Sequence, residues 1–476
     1  MRRGANRIKN RCGVSDLKQE KHRMSLMDLP VEMHDALSAP ETAENRALRA
    51  TLHLSDRWKI LGKIVKTVHP VFDDDHPEIP LPEMTTEDPH SGKKGRKTRY
   101  SGETTIYIAA KRRDKNLCPH CEQPCSVMSY ETRRYRHLDD LGHKCHLEVH
   151  LPKFMCFSCG GTPQLRFPAS NPKCQHTREF DRLIVNRLRT ESKSAIARDL
   201  EISTDVIDSA LNRVIAKALI NQDLSHVTGV YLDETQYGSG QDYVSVFTDQ
   251  RHRVIFVCRG HGKDVLKLFL DHLVIQGGDP EAIRVFSADM SSAYESGILE
   301  CFPNATLVWD RFHLVKSINE AMNEVRKRSV RRGVDVPLHL IKYTVLYRAG
   351  NMPRVHVDRM REIRMVCPDL ALSYDMKEAF CEIVATPDPR SMERSLRIWV
   401  EWVIDSGPKE FKKKAERFLE KMDRIIAWTR HQVSNSVSEG INKNIQDIRR
   451  QACGYKNDRN FFDMILLRQG DLFFTF

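Results

Sequence analysis

Two matched cysteine turns constrain this chain more than any other feature. Cys118-Pro-His-Cys121 and Cys156-Phe-Ser-Cys159 are each a C-x2-C, and the 34 residues from 122 to 155 separate them. One such turn aims two thiolates at a single tetrahedral ion, and two turns close a structural zinc site. The separation exceeds the commonest spacing of roughly 15–20 residues, which requires a β-hairpin between the turns. Cys118, Cys121, Cys156 and Cys159 are therefore the expected Zn²⁺ ligands. Cys125, Cys145 and His120 are the substitutes if one turn has degenerated. Scattered buried cysteines are the alternative, and two matched pairs in one short segment argue against it. The chain holds thirteen cysteines, an odd number, with six of them between Cys118 and Cys159. That distribution is not a disulfide framework, and in a reducing compartment clustered cysteines read as metal ligands. Lys153, Phe154, Phe157, Arg166 and Phe167 around the second turn are of the kind that approach DNA.

At 476 residues the chain needs more than one core. Its 75 Lys and Arg against 64 Asp and Glu leave a net charge of +11, which favours a polyanionic partner. The longest apolar runs, such as Arg253 to Cys258, fall far short of the ~20 residues a membrane span needs. The basic start MRRGANRIKN has no apolar stretch behind it, so no secretory signal and no membrane partner are expected.

Residues 1–103 read as a low-order extension. The first 100 hold three aromatics (Trp58, Phe72, Tyr100), and Pro70 to Pro89 carries five prolines and an Asp73-Asp74-Asp75 run. Such a composition argues against a packed core. The basic run Lys93 to Arg99 reads as a solvated linker. From 104 to 170 the Cys- and His-rich texture marks the zinc-binding module. Residues 178–218 are helical in pattern. Ile196, Ala197 and Leu200 form one apolar face, Ile202-Ser203-Thr204 a turn, and Val206, Ile207, Ala210, Leu211 and Val214 a second face. Two short amphipathic helices around a tight turn describe a helix-turn-helix. An ordinary helical hairpin has the same periodicity, and the basic charge favours the first reading.

From Val227 the pattern runs strand, strand, strand, helix, strand, helix, strand, helix, the order of a ribonuclease-H-like sheet. The strands are Gly229 to Glu234, Asp242 to Asp249, Arg253 to Cys258, Ile283 to Asp289 and Ala305 to Asp310. The helices run from Gly262 to Gln276 and from Tyr294 to Phe302. Acids at the ends of buried strands are expensive unless something pairs with them. Asp233 and Asp289 occupy such ends, and two such carboxylates on adjacent strands can share divalent ions, with a third acid from a helix. Side chains alternate along a strand, so Glu234 is expected to face away from the site that Asp233 faces. The third acid is expected at Glu439, at the start of a helix in which Ile441, Ile445 and Ile448 keep helical spacing. Lys443, Arg449 and Arg450 are available there for phosphate. For any single acid a salt-bridged or capping carboxylate is the alternative; three in one topology argue for a site.

These stretches resemble a known family. The chain is similar to bacterial insertion-sequence transposases of the DDE type, in the group written ISL3, with a zinc finger and a helix-turn-helix ahead of the catalytic domain. The matching stretches are the two cysteine turns, Leu232-Asp233-Glu234, Asp242-Tyr243, Thr248-Asp249 and Ser287 to Tyr294. Further matches are Phe302 to Ala305, Asp310-Arg-Phe-His-Leu314, Ser434 to Asn442 and Ala452-Cys-Gly-Tyr455. The resemblance implies a catalytic triad of Asp233, Asp289 and Glu439 holding Mg²⁺ or Mn²⁺, with structural Zn²⁺ on the cysteines. It implies double-stranded DNA as partner, at element terminal inverted repeats and at target DNA, and a homo-oligomer in the DNA complex. A cytoplasmic, nucleoid-associated place in a bacterial cell goes with it. The Asp310-x-x-His313 pair matches a motif of related transposases near the active site and reads as structural support.

Residues 290 to 438 between the second and third acids far exceed one crossover, and their pattern is mostly helical. The expected fold class is thus multidomain α+β: a small zinc-binding module, a helix-turn-helix, and a ribonuclease-H-like α/β catalytic domain (225–330 and 430–476) with an all-α insertion (331–429). Within the helical stretch, Arg326 to Arg332 follows a DNA backbone or is a solvated helix face, and Trp399, Trp402 and Trp428 read as core. The expected function is a DNA transposase performing metal-dependent cleavage and strand transfer. The rival is a catalytically inactive zinc/helix-turn-helix DNA-binding regulator on the same scaffold.

Overall fold

The computed structural model describes residues 39–67, 84–85, 97–98, 102–111, 116–237, 242–331, 343–431, 435–452 and 457–474, with Met33, Ala36, Leu37 and Tyr455. For 67, 84–85, 97–98 and 435–439 the backbone alone is described. The chain is mixed α/β and divides into two compact units. One is built from residues of 1–187 and 195–203, the other from residues of 188–194 and 204–475. Among the described residues no helix is long and apolar enough to cross a membrane.

The first unit begins with α1 (Ala43–Thr51), whose N-cap Thr42 accepts the Asn45 amide through its hydroxyl. Strands β1 (Trp58–Thr67), β4 (Gly102–Ala110), β5 (Asn116–Leu117), β6 (Pro124–Arg136) and β7 (His143–Met155) follow, with β2 (Met84–Thr85) and β3 (Lys97–Thr98) as a separate pair. The five-stranded sheet has the order β1-β4-β7-β6-β5. One face buries Trp58, Ile60, Ile106, Ile108, Tyr135, Leu147, Val149 and Phe167. The expectation of a low-order extension over 1–103 is corrected for residues 39–67. β1 pairs antiparallel with β4 along its length, and Trp58 meets Phe167 edge-on at 5.2 Å. Few residues carry this packing, so the Pro- and charge-rich composition of the whole extension masked it. The sheet that carries the two cysteine turns therefore starts well before residue 104.

Helices α2 (Arg178–Leu188), α3 (Lys193–Leu200) and α4 (Thr204–Ile220) occupy the segment read as helix-turn-helix. Glu201 takes φ 53° in the turn after α3. Ile196 and Leu200 are buried, as are Ile207, Ala210, Leu211 and Val214. The unit boundary falls at Ser203, with α4 in the second unit.

The second unit carries β8 (Gly229–Gln236), β9 (Tyr243–Asp249), β10 (Val254–Arg259), α5 (Lys263–Ile275), β11 (Val285–Ala288), α6 (Ser292–Cys301) and β12 (Thr306–Trp309). The sheet order is β10-β9-β8-β11-β12; the first three strands are antiparallel and the last two run parallel to β8. β9 is buried along almost its whole length, as a central strand covered on both faces must be. α5 packs inward through Val265, Leu266, Phe269 and Leu273, and Phe269 stacks on Phe247 of β9 at 4.4 Å. α6 lies so close to α5 that a Cβ on Gly297 would stand 2.5 Å from Leu266 Cδ1.

After β12 the chain is helical: α7 (Arg311–Arg331), α8 (Arg354–Val366), α9 (Pro368–Ile383), α10 (Pro389–Ser406), α11 (Lys409–Glu420), α12 (Met422–His431), α13 (Asn435–Ala452) and α14 (Asp458–Gln469). Trp399 is buried, donates to the Met376 carbonyl at 2.8 Å, and packs with Phe380 and Phe418. Trp402 and Trp428 pack on the same core. The basic run ending α7 is engaged within the protein: Arg326 binds Asn323, Lys327 pairs with Glu324 and Arg328 with Glu410. Arg332 lies outside the described residues.

Candidate metal centre and candidate active site

The β6–β7 hairpin brings the two cysteine turns together, as their spacing requires. Ser126 pairs with Met155 near its open end, so the chain enters β6 and leaves β7 side by side. Each turn closes the same way. The Glu122 amide donates to the Cys118 carbonyl and the Gly160 amide to the Cys156 carbonyl, both at 2.9 Å. Glu122 and Gly160 both take positive φ, 57° and 69°, a region glycine enters without strain. The sulfurs of Cys118, Cys121, Cys156 and Cys159 all lie within 4.8 Å of one another, the one such ligand group among the described residues. The Cys159 amide is the largest influence on the Cys156 thiol, which is drawn down to about 6. The His120 amide likewise lowers Cys118. The Gln123 amide draws Cys121 down, yet Cys156 and burial outweigh it and hold that thiol up at about 12. Four crowded sulfurs cannot all ionise without a cation among them, so the donor set fits a tetrahedral thiophilic ion. Cys125 instead donates to the Asn116 carbonyl, and Cys145 lies in the sheet core.

Strand register builds the second site. In the parallel pairs Tyr231 stands opposite Ser287, and Ser287 opposite Val308. Two residues further along each strand stand Asp233, Asp289 and Asp310. Three neighbouring parallel strands therefore deliver one carboxylate each at the same level, at their carboxyl ends. Each acid spends one oxygen on a nearby amide: Glu234 N–H to Asp233 Oδ1 at 2.8 Å, Ser291 N–H to Asp289 Oδ1 at 2.9 Å and Phe312 N–H to Asp310 Oδ1 at 2.8 Å. β8 itself continues to Gln236, because its antiparallel pairing with β9 outlasts its pairing with β11.

The far helix α13 docks on this strand through a polar ladder. Asn442 Nδ2 donates to Asp233 Oδ2 at 2.6 Å, Gln446 donates to Thr235 Oγ1, and Arg449 Nη1 donates to the Gln236 carbonyl at 3.0 Å. Asn442 Oδ1 is buried with no hydrogen-bond partner among the described residues. Residue 439 precedes Asn442 by three and so occupies the same helix face; the Glu439 side chain lies outside the described residues. The structure thus brings Asp233 and Asp289 together and carries the Glu439 backbone on the helix that touches Asp233.

The sequence named three further residues without their contacts here. His313 Nε2 lies 3.8 Å from both Asp233 Oδ1 and Asp310 Oδ2. Burial alone would lower its pKa, but Asp233, Asp310 and Asp289 outweigh burial and the net direction is upward. Asn442 is the second; its motif position was visible, its partner was not. Glu234 is the third. Alternation does turn it from the face of Asp233, yet it is not remote: it accepts the Tyr294 hydroxyl. Burial raises its pKa and the charge of Asp289 adds to that. The acidic trio and Asn442 carry hard oxygen donors, including an unclaimed buried amide oxygen, the donor type that divalent cations such as Mg²⁺ take.

A family model described as Transposase, of the ISL3-type DDE family, matches residues 230–465. That span contains Asp233, Asp289, Asp310 and Glu439. The chain is 26% identical over 357 residues, 73% of its own length and 87% of the relative's, to the transposase for insertion sequence element IS1001 of Bordetella parapertussis. It is 22% identical over 364 residues, 70% of its length and 81% of the relative's, to the transposase for insertion sequence element IS1557 of Mycobacterium tuberculosis.

Proposed function

This chain belongs to the ISL3-type family of DDE transposases, and from that premise we propose that Asp233, Asp289 and Glu439 form the centre that cuts and joins DNA. The single observation that supports the reading is the strand register: Asp233 and Asp289 each come two residues after Tyr231 and Ser287, which are paired on adjacent parallel strands. The strand order, three antiparallel followed by two parallel, supports a ribonuclease-H-like catalytic domain interrupted by the helices from α8 to α12. Asp233, Asp289 and Glu439 would hold Mg²⁺ or Mn²⁺. When bound, the ions supply Lewis-acid stabilisation of the attacking and leaving oxygens in an in-line phosphoryl transfer.

The protein's own groups do the positioning. The Glu234, Ser291 and Phe312 amides lock one oxygen of each strand-end acid, and Asn442 holds the second oxygen of Asp233. His313, drawn toward its protonated form, offsets part of the negative charge at Asp233 and Asp310. The four cysteines would hold Zn²⁺ as a structural ion. The zinc module and helices α2 to α4 would engage the terminal inverted repeats, and a homo-oligomer would pair element ends before joining them to target DNA.

Incubating the full-length protein with a duplex carrying the element end tests this. Mg²⁺-dependent nicking, lost in Asp233→Asn, Asp289→Asn and Glu439→Gln while end binding persists, is the expected result. End binding by the wild type with no cleavage under any divalent ion would overturn it in favour of an inactive DNA-binding regulator.

A further inference from the structure

Helix α11 brings a cationic edge to Met290 and Trp309, the neighbours of Asp289 and Asp310, and that edge is under-neutralised. Arg417 donates through Nη2 to the carbonyl of Met290, the residue after Asp289. Its guanidinium also rests over the ring of Trp309, the residue before Asp310, at 5.4 Å from the centroid. Arg417 is exposed, and a guanidinium has further N–H donors beyond the one committed to Met290. One turn earlier, on the same helix face, stands Lys414. Its side chain is 27% exposed and its ammonium is 3.9 Å from Glu320. Burial is the main force pulling the Lys414 pKa down, and the charges of Arg417 and Lys413 pull it further, against the single opposing charge of Glu320. The next cations along the chain, Lys421 and Arg424, are by contrast both paired with the Glu295 carboxylate. Unspent positive charge is therefore concentrated at Lys413, Lys414 and Arg417, outside the carboxyl ends of β11 and β12, where open parallel sheets bind their ligands. A half-buried ammonium crowded by two cations is stabilised by an anion joining the group.

We propose that Lys414 and Arg417 bind the phosphodiester backbone of the DNA strand whose reacting phosphate lies on the carboxylate row. The helical insertion thereby acts as a phosphate clamp. This inference rests on the DNA-cleavage reading above and adds to it the surface that aligns the strand. Backbone contacts of this kind set register and orientation without reading sequence.

The test uses the full-length protein and a fluorescent duplex carrying the element end, with an unrelated duplex beside it, titrated across a salt series. Each lost phosphate contact should make the slope of log affinity against log salt shallower by about 0.9. Lys414→Gln and Arg417→Gln should each do so, their double variant by about twice as much, and end cleavage by the double variant should fall at least about tenfold. The ratio of specific to non-specific affinity should stay put. Lys414→Gln should melt no lower than the wild type, since it removes an under-neutralised charge; a purely structural lysine would behave the opposite way. If Arg417→Gln fails to fold, Lys414→Gln decides alone. Unchanged salt slopes in Lys414→Gln, with Asp233→Asn still abolishing cleavage, would overturn the clamp and leave the catalytic reading standing. A shallower slope in a protein that cleaves nothing would uphold the phosphate surface while the catalytic reading fails.

Discussion

Asn442 hands its side-chain amide to the Asp233 carboxylate across 2.6 Å, although 209 residues separate the two in the chain. That bond ties α13 to β8, the first strand of the second unit's sheet. It also fixes which face of α13 is turned to Asp233.

Asn442→Ala should leave end binding intact and reduce cleavage by roughly 10- to 100-fold, the equivalent of losing about 1.5–3 kcal/mol from one charge-assisted hydrogen bond. Gln446→Ala, one turn on, should cost less, because its partners are a hydroxyl and a carbonyl rather than the acid itself. Single-turnover cleavage alongside thermal melting separates the two. Equal losses in both would mean that helix docking, not Asp233 orientation, is what matters.

Glu234 is the acid whose role changed most between sequence and structure. Tyr294→Phe removes the hydroxyl donor and leaves a buried carboxyl without it, which should destabilise the fold by about 1–3 kcal/mol. Glu234→Gln keeps an acceptor for Tyr294 and relieves the repulsion from Asp289, so it should be stable and lose less cleavage than Asp289→Asn. Urea unfolding of both variants checks the first claim and nicking rates the second.

Cys121→Ser with Cys159→Ser should release about one zinc per chain and disorder the hairpin between residues 118 and 165, because a structural ion supplies folding energy directly. Metal analysis of the purified wild type is the decisive control, and an absence of zinc there would defeat the prediction. The second unit has its own core and should keep its melting transition.

Asp463 in α14 provides a pH test. Burial pushes its carboxyl up to about 7, although Arg459 and Lys193 pull it down. Between about pH 4 and about pH 7 the folded chain keeps a proton that the unfolded chain has released. The stability it contributes is thus complete below about pH 4 and is lost as pH rises to about 7, by at most about 4 kcal/mol. Asp463→Asn should flatten that part of the stability profile. Urea midpoints at several pH values give the answer, and parallel profiles for wild type and variant would refute it.

Local chemistry was legible in the sequence. Cysteine turns at C-x2-C spacing imply their own geometry, and the gap between them implies a hairpin, which β6 and β7 supply. Short apolar runs marked β8 to β12 and the 3.6 period marked the buried side of α5, because each signal depends on residues within a few positions of one another. Trp58 and Ile60 escaped because their partners, Ile106, Ile108 and Phe167, lie roughly 50 to 110 residues away, and composition averaged over the extension drowned two buried side chains.

Tertiary structure alone decided what meets what. The sequence places acids near strand ends, but only the pairing of β8, β11 and β12 sets Asp233, Asp289 and Asp310 at one level, since a slip of one residue would turn each to the opposite face. Alternation along the strand could not foresee that the Tyr294 hydroxyl would donate to Glu234 or that the charge of Asp289 would act on it. The contacts of Asn442 and His313 with Asp233, and of Arg417 with Met290 and Trp309 beside the row, join segments far apart along the chain. Their closeness is a property of the packed core, in which many weak local preferences are resolved at once.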